Sequence, residues 1–331
     1  MNTYLGLAIG LALLLGGGEA LVRGSVAVAA RLGVSPLVIG LTLVGFGTST
    51  PELVASLDAA LRGSPAVALG NVVGSNILNI VGVLGLAAVI LPVATTREAF
   101  RRDGAVLVGA TLLLVAAVAL WGGIGRLAGA AFLALLLGYT VWTYLVERAD
   151  PAAPSAAMHA AEAAELEDMP PRGLGLGAGA ALAVGGIAGV VFGADLLVGA
   201  SLEIARAAGL SEAVIGLTLV AVGTSLPELA TSVSAALRRH TDVAFGNVVG
   251  SNIFNILGIA GTTALVTPIA APPEIARFDI WAMLAAALLL VLFAVTGWRV
   301  NRWEGALLLA AYAAYLAVQF SPGARAALGL P

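Results

Sequence analysis

Residues 40–53 read GLTLVGFGTSTPEL, and residues 216–229 read GLTLVAVGTSLPEL. A second pair follows in each case, GNVVGSNILNI at 70–80 and GNVVGSNIFNI at 246–256. A shift of 176 positions lays residues 38–82 on 214–258 without a gap, and 31 of those 45 pairs are identical. The register reaches further back, placing Glu19 on Asp195 and Ser25 on Ser201. Self-similarity on this scale marks a chain built from two copies of one unit.

The composition says where such a unit resides. Of 331 residues, 60% are hydrophobic and 11% charged, against about 25% charged in an ordinary soluble domain. The mean hydropathy is +1.02. So much apolar sequence must face lipid or other spanning helices. A span takes roughly 20 mainly apolar residues. Ten such runs are expected, at 4–30, 36–61, 69–91, 104–122, 126–146, 174–206, 212–237, 245–267, 279–297 and 303–320. The first run lacks the basic leader of a cleaved signal peptide and reads as a retained helix. The fold expected is an all-α polytopic membrane protein with ten transmembrane helices in two five-helix repeats. Residues 1–147 form the first repeat, 148–172 a linker and 173–331 the second. The linker is acidic, Ala-rich and Pro-bearing, and it holds His159.

An odd number of spans per copy turns the second copy upside down. Inverted repeats place substrate sites at the repeat interface, near the midplane, on interrupted helices. The second and seventh runs are interrupted at Pro51 and Pro227, where proline removes a backbone hydrogen bond. Orientation follows from the arginines, since loops rich in them stay in the cytoplasm. Five fall on the N-terminal side (62, 126, 206, 277, 325) and eleven on the other. Both termini are therefore expected outside and the linker inside.

Glu52 and Glu228 each follow a proline inside an apolar run. An acid at that depth costs at least ~2.5–3.5 kcal/mol on insertion scales and needs a partner. No arginine lies within either motif, so a bound cation is the expected partner. The alternative is a protonated glutamate hydrogen-bonded to a neighbouring helix. Thr48, Ser49, Thr224 and Ser225 add hydroxyl oxygens beside the acids. Helix breaks at 47–49 and 223–225 would free carbonyls, which is tolerated at membrane depth only around a cavity or within protein. Asn79 and Asn255 add amide oxygens, with Ser75 and Ser251 one turn before them. An all-oxygen set with two negative charges suits calcium or sodium. Transition metals would favour His, Cys or Met. The chain has no Cys, and its two His lie outside the motifs. Glu19 can pair with Arg23, and Asp58 with Arg62, at i,i+4 spacing. Asp195 has no partner at that spacing.

These motifs resemble the repeats of the sodium/calcium exchanger family, within the calcium:cation antiporters. The two blocks cover about 90 residues, and the ten-helix layout extends the likeness to the whole chain. The resemblance implies antiport of calcium against sodium, with Glu52 and Glu228 binding both ions. It carries Thr48, Ser49, Ser75 and Asn79 over as ligands, with Thr224, Ser225, Ser251 and Asn255 as their repeat copies. It adds the backbone carbonyls of Gly45 and Ala221. Many members have Asp where this chain has Asn255, which leaves stoichiometry and coupling open. The linker is too short for the regulatory calcium-binding domains of animal exchangers, so the chain resembles the minimal prokaryotic type.

The expected partners are therefore calcium, sodium and the lipid bilayer of a plasma (inner) membrane. No cofactor, nucleic acid or protein partner is implied; the net charge is only −3. A calcium (cation)/proton exchanger is the alternative function. A channel is disfavoured because channels usually build their pores by symmetric assembly. With no HExxH motif and no Cys, the chain is not expected to be an enzyme.

Overall fold

A computed structural model describes residues 2–35, 38–95, 97, 100–150, 174–327 and 329. The expected linker, apart from residues 148–150, lies outside the described residues, as does His159.

Among the described residues, eight helices are long and apolar enough to cross a membrane. They are α1 (Thr3–Arg31), α3 (Pro65–Ile90), α4 (Phe100–Trp121), α5 (Arg126–Ala149), α6 (Leu176–Ala208), α9 (Thr241–Val266), α10 (Ile275–Val295) and α11 (Arg302–Phe320). A ninth candidate is a broken pair, α7 (Glu212–Thr224) and α8 (Leu226–Leu237), bent by 49°. Its counterpart in the first half is a π-helical segment, Ile39–Val44, then a turn, then α2 (Thr50–Leu61). A short α12 (Pro322–Ala327) follows α11. The ends obey local chemistry. Asn2 caps α1 through its side chain, and Asn301 with Glu304 makes a reciprocal capping box on α11. Gly209 ends α6 with φ of 64°, a left-handed conformation that costs glycine nothing.

Two expectations about boundaries shift. The breaks in the second and seventh runs fall at Ser49 and Ser225, within the expected stretches 47–49 and 223–225 but ahead of the prolines rather than at them. Pro51 and Pro227 then occupy the first helical turn, where a missing N–H has no partner to lose. The third and eighth spans begin at Pro65 and Thr241, four residues earlier than hydropathy places them. Their first turns are polar or proline-bearing yet already helical.

Spans α3 and α9 form the centre. Windows of 18 residues within them are 83% and 78% buried, against 22% for α5 and α11. Each carries a π-helical stretch at its middle, Leu78–Leu84 and Phe254–Ala260, at positions 176 apart. Such wide turns often occur at functional sites.

Helices α1 and α6 cross antiparallel through glycines. A methyl on Gly17 would stand 2.6 Å from the Val190 nitrogen, and one on Gly10 would stand 2.7 Å from that of Leu197. Gly24 meets Ala183 at 2.4 Å in the same way. No side chain fits at these places, so the backbones touch. The helices are not the whole architecture. Two short antiparallel ladders join the halves, Val93–Ala94 with Arg299–Val300 and Gly123–Ile124 with Ile269–Ala270.

Candidate functional site

The helix breaks bring the expected acids together. Glu52 lies in the first turn of α2 and Glu228 in the first turn of α8, and both are fully buried. The serines at the breaks cross between halves. Ser49 donates its hydroxyl to Glu228 Oε1 at 2.8 Å, and Ser225 donates to Glu52 Oε1 at 2.8 Å. Each acid thus has one satisfied oxygen. The other, Oε2, is buried without a hydrogen-bond partner in both residues. A buried carboxylate oxygen left unpaired costs free energy.

The remaining expected donors are in different states. Thr48 Oγ1 and Ser251 Oγ are buried and unpartnered. Asn79 donates through Nδ2 to Asn252 Oδ1 at 3.3 Å, which leaves its own Oδ1 free of partners. Asn255 has neither amide atom bonded. Thr224 is engaged, donating to Asn71 Oδ1 at 3.1 Å or to the Val220 carbonyl at 3.0 Å. Ser75 points its hydroxyl at Asn71 Oδ1 at 3.5 Å. The Ala221 carbonyl accepts the Ser225 N–H at 3.1 Å and has the Thr224 hydroxyl 3.4 Å away. Gly45 directly follows the first π-helical segment and is partly buried.

Sequence reasoning passed over Asn71 and Asn247. Asn71 donates to the Glu52 carbonyl at 3.2 Å and to Ser56 Oγ at 2.9 Å. Asn247 repeats both bonds, to the Glu228 carbonyl and Ser232 Oγ, at the same two distances. The signal was present, because both asparagines stand at matched positions in the quoted GNVVGSN blocks. Asn76 and Asn252 are likewise repeat-matched and buried.

No group of three or more acidic, histidine or cysteine side chains converges anywhere among the described residues. The centre is therefore two carboxylates within neutral oxygens, which matches a hard cation. Outside it, Glu19 pairs with Arg23 as expected. Asp195 is not partnerless. Arg62 bridges it to Asp58, tying α6 to the end of α2.

Apolar spanning helices around a buried pair of carboxylates with unsatisfied oxygens fit a membrane transporter of cations. Comparison with known proteins specifies the class as an antiporter. The chain belongs to the family described as sodium/calcium exchanger protein, whose profile matches residues 2–145 and 178–321. It is 37% identical over 317 residues to CaxA of Alkalimonas amylolytica, covering 95% of this chain and 97% of that protein. It is 35% identical over 343 residues to the sodium/calcium exchanger MaX1 of Methanosarcina acetivorans, covering 96% and 98%. Among solved structures it resembles the sodium-calcium exchanger NCX_Mj soaked with 10 mM Na+ and 10 mM Sr2+. The TM-score is 0.63 at 32% identity, covering 95% of this chain and 97% of that one. It is accordingly a membrane antiporter and not an enzyme.

Proposed function

We propose that the chain exchanges calcium for sodium across the membrane by alternating access, with Glu52 and Glu228 as the shared charge of the site. The observation that carries this is the pair of buried Oε2 atoms, one per half, with no protein partner. Thr48, Ser49, Ser75, Asn79, Thr224, Ser225, Ser251 and Asn255 supply further oxygens, with the carbonyls of Gly45 and Ala221. A divalent ion balances both carboxylates at once, and sodium ions do so in turn. An uncompensated pair of charges is costly to enclose in low dielectric. Only charge-balanced states then change access readily, which makes the exchange obligatory.

The reading takes the broken pair α7–α8 and its first-half counterpart as one span each. That gives ten spans in two inverted five-helix repeats, 1–147 and 173–331, around a linker at 148–172. The reciprocal serine–glutamate bonds and the antiparallel crossing of α1 with α6 support it. The arginine asymmetry puts both termini outside and the linker in the cytoplasm. A relative in Escherichia coli is named an inner membrane protein, which agrees with a plasma-membrane location.

Reconstituted proteoliposomes test this directly. Calcium uptake is measured with sodium, proton and potassium gradients imposed separately. Uptake driven by outward sodium alone is expected. Uptake that ignores sodium and follows pH instead would make the protein a calcium/proton exchanger.

A further inference from the structure

The two halves make the same anchoring bonds but do not use their asparagine oxygens alike. Asn71 and Asn247 both hold the glutamate of their own half through Nδ2. In the first half, Asn71 Oδ1 also faces Thr224 Oγ1 of the opposite half at 3.1 Å, where it shares that hydroxyl with the Val220 carbonyl at 3.0 Å, and Ser75 Oγ at 3.5 Å. Their repeat counterparts, Thr48 Oγ1 in the first half and Ser251 Oγ in the second, are buried with no hydrogen-bond partner. The same inequality recurs one turn on. Asn79 reaches Asn252 Oδ1, whereas Asn255 Nδ2 and Asn76 Oδ1, the matching pair, are both unpartnered.

A hydroxyl binds a cation through its lone pairs, so its proton has to point elsewhere. An acceptor behind the hydroxyl does this in advance. We propose that Asn71 is a positioning residue of the ion site: its amide oxygen takes the protons of Thr224 and Ser75 and turns their lone pairs toward the cation, a service Asn247 does not perform in this conformation. The shell is thus half pre-oriented, with Thr224 and Ser75 ready and Thr48 and Ser251 unset. The inference rests on the cation-exchange reading above and assigns Asn71 a part in it.

The test uses full-length protein in detergent. Calcium dissociation constants by titration calorimetry are compared for Asn71→Ala and Asn247→Ala, with melting temperatures recorded with and without calcium. Both variants lose the anchor on their glutamate, but only Asn71→Ala loses the hydroxyl acceptor. Calcium affinity should fall about tenfold for Asn71→Ala and about threefold for Asn247→Ala, as loss of two sets of neutral hydrogen bonds against one implies. The melting increment given by calcium should shrink in the same order. Equal losses in the two variants overturn the proposal, as does an unchanged calcium increment with a lower melting temperature in its absence. If Asn71→Ala is not recovered folded, Asn71→Ser is read the same way, since its hydroxyl is too short to reach Thr224. Binding is measured without any gradient. A wild type that binds calcium but shows no sodium-driven flux would sink the exchange reading and leave this one standing.

Discussion

Ser49 donates its hydroxyl to Glu228 across 179 residues of sequence, and the same bond recurs between Ser225 and Glu52. Each half therefore completes the acid of the other. The break that ends one repeat's helix supplies the donor for the opposite repeat's carboxylate.

Replacing either acid should stop transport. Glu52→Gln and Glu228→Gln each remove one of the two charges that balance calcium. Sodium-gradient-driven calcium uptake in proteoliposomes should drop to background in both. Normal uptake in both variants would refute the site.

The crossed serines should matter equally. Ser49→Ala and Ser225→Ala each unpair an oxygen of a buried carboxylate, and hydrogen bonds to charged groups contribute about 1.5–3 kcal/mol. The half-saturating calcium concentration for uptake should rise about 10- to 100-fold in each. A large effect from one serine and none from the other would break the reciprocity.

The glycine crossing predicts a contrast between neighbours. A Cβ on Gly17 would press 2.6 Å from the Val190 backbone, whereas one on Gly16 meets nothing within 4 Å. Gly17→Ala should destabilise the protein by about 2 kcal/mol or more, as overpacking does, and Gly16→Ala should be tolerated. Thermal unfolding in detergent reads both.

Arg239 has φ of 67°, at the position where the first repeat has Gly63 with φ of 78°. A left-handed conformation costs a residue with a side chain about 1–2 kcal/mol. Arg239→Gly should raise the melting temperature modestly, with no loss of calcium uptake.

The bridge from Arg62 to Asp195 should contribute little to stability. Its side chains are 33% and 59% exposed, and exposed ion pairs contribute roughly 0–1 kcal/mol. Arg62→Gln should leave the melting temperature nearly unchanged.

Much was legible in the sequence because membrane depth makes polar residues conspicuous. Glu52 and Glu228 stand out against an apolar run, and the repeat shows they are equivalent. The hydroxyls and amides of the expected set were legible for the same reason. Asn71 and Asn247 were not, because an asparagine among glycines and valines looks like ordinary helix–helix contact until its partners are seen. The breaks at 47–49 and 223–225 were legible, but the part the prolines play in them was not. A proline marks a break only to within a turn, and here it starts the next helix instead of ending the last.

The sequence by itself determined the two copies, the two acids and the all-oxygen chemistry around them, since residue types and their spacing carry that information directly. Only the tertiary structure decided that Ser49 serves Glu228 and not its own neighbour Glu52, that Arg62 reaches Asp195, and that Asn71 engages Thr224 while Thr48 stays unpaired. Those are contacts between segments more than 130 residues apart, set by how the helices pack. Two equivalent sequences can lie in unequal surroundings, and spacing along a chain does not distinguish them.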